Sequence, residues 1–167
     1  MRYNALTRLR TLIHRLIVVE LVRLYYNRIW GTKIGKGTRI SRSVKMDKTY
    51  PAGVEIGEYS AVAFEAAILT HDFVHGQHRH TKIGSYCFIG ARAVVMPGVT
   101  IGDHCVVGTG AVVMRNVPAN SVVIGNPGRV IERDIETGRY GMRVESLFLQ
   151  GDEQVSPAQL ENAPADG

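Results

Sequence analysis

Thirteen aliphatic residues fall in one frame along this chain, most of them six apart: Ile34, Ile40, Met46, Ile56, Val62, Ile68, Ile83, Ile89, Val95, Ile101, Val107, Val113 and Val123. A step of six matches neither an α-helix, with about 3.6 residues per turn, nor the two-residue alternation of a strand. It is the period of a β-solenoid, in which each hexad supplies a short strand and a turn and three hexads close one coil. Glycine follows six of these residues, at Gly35, Gly57, Gly84, Gly90, Gly102 and Gly108. A small residue stands four places on, as at Thr38, Ser60, Ala66, Cys87, Ala93, Cys105 and Ala111. The aliphatic side chain is expected to point inward and stack on its equivalent in the next coil. The small residue turns a corner with no room for bulk, and the glycine allows a sharp bend.

The interruptions locate function. The frame sorts into coils 34/40/46, 56/62/68, 83/89/95 and 101/107/113, with 123 opening another. Between coils the steps are ten, fifteen, six and ten. Each insertion follows the third strand of a coil, so all of them are expected along one edge of the prism. The longest, residues 69–82, reads LTHDFVHGQHRHTK and holds four of the six histidines. Met46–Asp47–Lys48 and Met114–Arg115–Asn116 belong to the same edge. Functional loops commonly sit on a rigid scaffold, so the active site is predicted there.

At 167 residues the chain suits one compact domain with short appendages. No apolar run is long enough to span a bilayer, and no small-residue cleavage site follows the first helix as a signal peptide would require. Residues 1–48 carry twelve Lys/Arg against two acids, whereas 151–167 carry four acids and no Lys/Arg. The expected organisation is a basic amphipathic helix over 1–30, the repeat domain over 31–131, a short C-terminal helix within 132–150 and a disordered acidic tail over 151–167. The first helix either closes the open end of the solenoid or lies on a membrane as a peripheral anchor. No nucleic-acid motif accompanies the basic stretch, so nucleic acid is not an expected partner. Cys87 and Cys105, one coil apart, are expected to be stacked small core residues rather than a disulfide or a metal pair.

The run from Ile56 to Ile131, with THDF, CFIGARAVVMPGVTIGDHCVVGTGAVV, NVP and GNPGRVI, resembles the hexapeptide-repeat acyltransferases. It is most similar to the branch of maltose and galactoside O-acetyltransferases and of surface-polysaccharide acetyltransferases. The resemblance implies an all-β solenoid wound as a left-handed parallel β-helix, a homotrimer with sites between subunits, and acetyl-CoA as co-substrate without a metal. It also implies that His71, in ILTHDF, is the general base. Histidine suits that task because its unperturbed pKa lies near neutrality. Asp72, Glu65 and Asp47 are candidates to orient its ring, and a backbone N–H at Gly90 or Ala91 to polarise the thioester oxygen.

By the same resemblance, Gly90–Ala91 and Gly108–Thr109–Gly110 match points where the backbone approaches the pantetheine arm. Met114–Arg115 stands where the family has a Thr-Lys-like pair, so the cation is kept and a hydroxyl is lost. Asn126–Pro127 lies in the GNPA-like turn, and Arg115 and Arg129 are expected to pair with CoA phosphates. Glu132 falls where the galactoside branch has a second basic residue, and Phe88 replaces an expected tryptophan.

On the acceptor side, Ser41 falls at the family's acceptor-binding asparagine, with Asp47, Glu65, Asp72 and His78 as further candidates. The favoured acceptor is a sugar hydroxyl of a surface polysaccharide, acetylated in the cytoplasm or at the inner face of the membrane. Amino-sugar N-acetylation and serine acetylation are the alternatives within enzymes. A γ-type carbonic anhydrase using His75 and His80, or a non-catalytic scaffold, are alternatives of another class.

Overall fold

The computed structural model describes residues 5–143. The disordered acidic tail expected over 151–167, like residues 144–150, therefore lies outside the described residues. The chain opens with one helix, Ala5–Ile29, and then winds as a left-handed parallel β-helix of triangular section.

Each wall of the prism is a ladder of very short parallel strands. The first face stacks Lys33–Ile34, Val54–Ile56, Thr81–Ile83 and Thr100–Ile101. The second stacks Arg39–Ile40, Ala61–Val62, Phe88–Ile89, Val106–Val107 and Val122–Ile124, and the third Lys45–Met46, Ala67–Ile68, Val94–Val95 and Val112–Val113. The register pairs frame residues with one another: Ile34 with Ile56, Val62 with Ile89, Val95 with Val113. Nearly all of them are buried, so the core is three aliphatic stacks running the length of the prism.

Two readings of the repeat are corrected. Val123 does not open the fifth coil: it pairs with Val107 on the second face, and Val117 takes the first-face position by bridging Ile101. Val117 follows Val113 after four residues and is succeeded by Pro118 rather than glycine, which hid it in the sequence. The glycines, in turn, do not supply the bend. The left-handed residues sit three places after the aliphatic one and are mostly not glycine: Tyr59, Tyr86, His104 and Asn120 at one corner, Glu65 and Arg92 at the next. Glycine one place after it is required because coils touch there. A Cβ on Gly57 would lie 2.5 Å from the Ser85 backbone nitrogen, and one on Gly84 would lie 2.6 Å from that of Asp103.

The small corner residues form a polar ladder inside the core. Ser60 Oγ donates to the Gly84 carbonyl at 2.8 Å and accepts from the Cys87 N–H at 3.0 Å. The Cys87 and Cys105 thiols donate onward to the Gly102 and Pro118 carbonyls, each at 3.1 Å. Both cysteines are free and buried. Contact with Cys105 and burial push the Cys87 thiol up, so it stays protonated.

Both ends are closed. At the bottom, the Asn27 side chain accepts from the Ile34 N–H and donates to the Ile34 carbonyl, each at 2.9 Å, taking the place of a missing coil. At the top, strand Arg129–Glu132 runs antiparallel to Val122–Ile124 and ends the parallel ladder. The helix expected within 132–150 is absent from its described part. Residues 133–143 instead form an irregular strap with a single 3-10 turn, Arg139–Gly141. The strap lies on a column of rings, Tyr59, Tyr86 and His104, stacked at 5.6 and 5.1 Å. The Tyr86 carbonyl accepts from Thr137 Oγ1 at 2.8 Å, and the Arg139 guanidinium lies over the Tyr59 ring. Extended backbone bonded to neighbouring coils satisfies its polar groups as well as a helix would.

Replacing Gly84 with alanine should cost about 1–3 kcal/mol through overpacking between coils and lower Tm by several degrees. An unchanged thermal midpoint would show that the coils do not need this contact.

Candidate active site

The fifteen-residue step between Ile68 and Ile83 is a small hairpin, with His71–Asp72 antiparallel to Gln77–His78 and His71 opposite His78. It projects from the edge between the third and first faces, as expected. Its base is tied to the scaffold by two buried threonines. Thr70 Oγ1 donates to the Tyr50 carbonyl at 2.6 Å, and Thr81 Oγ1 donates to the Leu69 carbonyl at 2.5 Å.

Asp47, from the preceding insertion on the same edge, holds the His71–Asp72 strand by its backbone. Its Oδ2 accepts from the N–H groups of His71 at 2.8 Å and Thr70 at 3.0 Å, and its Oδ1 accepts from Thr49 at 2.8 Å. Burial works against ionisation, but the N–H groups of Thr70, Thr49, His71 and Tyr50 outweigh it and hold the carboxyl below the usual range.

The other carboxylates proposed to orient His71 are engaged elsewhere. Asp72 turns to His75: the His75 N–H donates to Oδ1 at 3.1 Å and His75 Nδ1 lies 2.7 Å from Oδ2, and these two bonds, the backbone one foremost, lower its pKa. Glu65 sits at a different corner and binds Arg92 at 2.6 Å. Asp47 therefore positions His71 through the main chain. The His71 ring, half-buried, lies beside two others: His78 at 5.2 Å and Phe73 edge-on at 6.0 Å.

Tyr50 is a site residue that the sequence reading missed. Its ring stacks on His78 at 5.1 Å, and its hydroxyl lies 3.1 Å from His80 Nε2. The signal was available, since Tyr50 lies in the first insertion on the same edge. His80 also faces Glu55 at 3.5 Å, so His75 and His80 have separate protein partners. Among the described residues no group of three His, Cys, Asp or Glu is gathered as metal ligands would be.

The candidate donor residues divide between two edges. Gly90, Ala91, Gly108, Thr109, Asn126 and Pro127 run up the edge between the second and third faces, with Arg129 opening the last strand beside them. Ser41 lies at the foot of the same edge. Met114 and Arg115 stand exposed on the hairpin edge instead, with the third face between the two groups. The Gly90 N–H is committed to the Val107 carbonyl at 2.8 Å, which leaves Ala91 as the candidate oxyanion donor. Beside Ser41, a groove of about 390 Å³ separates the N-terminal helix, at Val18, Val19 and Val22, from Arg42 and Phe88 of the solenoid.

Residues 80–115 match the family model described as bacterial transferase hexapeptide (six repeats). Over 78 residues the chain is 30% identical to "Putative acetyltransferase YvoF" of Bacillus subtilis (strain 168), covering 46% of this chain and 45% of that protein. The chain thus spans under half the length of that relative. Among solved structures it is similar to a maltose O-acetyltransferase from Clostridium difficile 630, at 28% identity and TM-score 0.51, over 62% of this chain and 70% of that one. A serine acetyltransferase from Brucella abortus strain S19, in complex with coenzyme A, has TM-score 0.54 at 23% identity, over 68% of this chain and 45% of that one. At that identity the likeness is one of fold.

Removing the Asp47 carboxylate should loosen the hairpin. In Asp47→Ala, amide exchange at Thr70 and His71 should quicken about tenfold or more, the loss of a charge-assisted hydrogen bond. The Asp47 pKa is depressed on folding, so its contribution is present above the ordinary aspartate value of about 3.9. It is lost only as pH falls through the lower folded value. Protection at these two amides should therefore be flat through neutral pH and decline only in acid. Unchanged exchange in Asp47→Ala would remove Asp47 from this role.

Proposed function

We propose that this hexapeptide-repeat β-helix protein is an acetyltransferase that moves an acetyl group from acetyl-CoA to a sugar hydroxyl, with His71 as general base. The half-buried histidine on a hairpin pinned by Asp47 is the observation that carries this assignment. The likeness to a maltose O-acetyltransferase over most of the repeat supports the reaction and the acceptor class. A surface-polysaccharide sugar is the acceptor we favour. Because acetyl-CoA is a cytoplasmic metabolite, the reaction is assigned to the cytoplasmic side.

In this reaction His71 takes the proton of the acceptor hydroxyl as its oxygen attacks the thioester carbonyl. The tetrahedral oxyanion meets the Ala91 N–H of a neighbouring copy. Collapse breaks the C–S bond, and the imidazolium returns its proton to the leaving thiolate, giving free CoA and the ester. His78 and Tyr50 limit the rotation of the hairpin rings around the base.

Within one chain the hairpin edge and the glycine-lined edge lie on opposite sides of the third face. The outward residues between them are Lys45 at the foot of the face and then Ala67, Val94 and Val112, which are small or aliphatic. That separation supports a site completed between copies, in a homotrimer in which each His71 meets a neighbour's Gly90–Ala91 and Gly108–Thr109. Arg115 and Arg129, both exposed, are the cations assigned to the CoA phosphates.

Three measurements test this. His71→Ala should lose about a hundred- to ten-thousand-fold in acetyl-CoA-dependent thiol release with sugar acceptors, while still binding CoA. Turnover close to wild type would remove His71 as the base. Arg115→Ala and Arg129→Ala should raise KM for acetyl-CoA more than they lower kcat, because phosphate contacts are remote from the reacting carbonyl. Unchanged KM in both would move the donor site elsewhere. Finally, His71→Ala and Thr109→Trp should each be inactive alone, yet recover about a quarter of wild-type activity when mixed and reassembled, since one site in four joins two intact halves. No recovery would place both halves of the site in one chain.

A further inference from the structure

The N-terminal helix has two unlike sides. Toward the solenoid, Tyr26 packs on the core and Asn27 bonds to Ile34. Glu20 also faces inward, accepting from the Gly37 N–H at 3.4 Å and pairing with Arg23 at 2.8 Å. On the opposite side Ile17, Leu21, Leu24, Tyr25 and Ile29 are 52%, 58%, 46%, 51% and 69% exposed. At about 100° per residue these positions share one arc of the helix with Arg28, also exposed. Contiguous apolar surface of this kind marks an interaction site.

Charge selects the occupant. Residues 1–48 carry twelve Lys/Arg and only two acids. Both acids are turned away from the stripe: Glu20 is on the packed side and Asp47 is bonded within the hairpin edge. Arg42 lines the groove that opens beside Val18 and Val22. Packing this face against the same face of another copy would set one basic surplus against another. No helix among the described residues is long and apolar enough to cross a membrane. Arg28 within the apolar stripe of a helix that does not span, with Arg42 beside it, matches an anionic lipid surface.

We propose that the outward stripe of this helix docks on an anionic lipid surface, lying in its plane with Leu21 and Leu24 inserted and Arg28 and Arg42 against the headgroups. The helix thus does two things, closing the first coil with one side and holding the protein to a lipid surface with the other. Vesicle binding needs no acyl transfer, so this proposal stands or falls separately from the acetyltransferase assignment.

The test is co-sedimentation of the full chain with vesicles of equal parts phosphatidylglycerol and phosphatidylcholine. The protein should pellet at low salt, remain in the supernatant with phosphatidylcholine alone, and release as NaCl rises from about 0.05 to 0.5 M, where screening shortens the range of the attraction. The double variant Leu21→Glu, Leu24→Glu should lose about tenfold or more in partitioning, with Tm and oligomeric state unchanged, because both side chains face solvent. Arg28→Glu provides a second variant at an exposed cation and should weaken binding in the same direction. Failure of the wild type to pellet with anionic vesicles would overturn the proposal. So would unaltered binding in both variants. If the double variant instead splits the assembly, the stripe is a contact between copies and the lipid proposal falls.

Discussion

Everything in this molecule depends on how closely one coil can lie on the next. Parallel strands two or three residues long make few hydrogen bonds each, and no coil buries its aliphatic residues alone. Stacking supplies both needs, provided that backbones approach without side chains between them. The glycines on the first face meet that condition. So do the corner hydroxyls and thiols, which bond to the carbonyls of the coil above. The same condition makes the ends vulnerable, because an open coil presents unpaired N–H and C=O groups. Asn27 satisfies them at the bottom with a side-chain amide, and the antiparallel turn into Arg129–Glu132 satisfies them at the top.

A stack this regular leaves insertions at the corners as the place for chemistry. The edge between the third and first faces takes two, and they support each other. Residues after Met46 supply Asp47 and Tyr50, and residues after Ile68 supply the hairpin that both of them hold. Asp47 joins coil one to coil two across this edge, so the position of His71 is set by the coil spacing rather than by the loop. That explains how a hairpin whose tip, Phe73 and Val74, is 86% exposed can still hold the His71 backbone in a fixed place.

The repeat, its core and the edge that takes the insertions were legible because burial imposes a strict period on residue type. The place of His71 on that edge was legible because its short motif stands beside that period. What escaped were features whose signal is spatial. Val117 is a frame residue reached by a four-residue step and followed by proline, so no periodic rule catches it. Tyr59, Tyr86 and His104 look like unrelated surface residues until eighteen- and twenty-seven-residue separations bring their rings into one column. Asp72 is next to His71 in sequence, yet on a strand adjacent side chains point to opposite faces, and its carboxylate goes to His75. The strap over 133–143 has no periodicity because its partners are corner backbone groups rather than a core.

That strap ties the far end of the prism to the near end. Thr137 bonds at the Tyr86 and His104 corners, the Tyr140 N–H donates to the Tyr59 carbonyl at 2.6 Å, and the Arg39 guanidinium lies 3.8 Å from the Tyr140 ring centroid. Arg39 belongs to the first coil, the one that the N-terminal helix closes. A chain that leaves the top coil therefore returns to the bottom one along a single corner. The consequence is a division of labour among the three corners. One is clamped by the strap, one carries the hairpin with the proposed base, and one presents the glycine-lined backbone assigned to the donor. Clamping the corner without chemistry fixes the coil spacing for the two that have it. It also leaves the third face, which lies between those two, uncovered by strap or helix and open to a second copy.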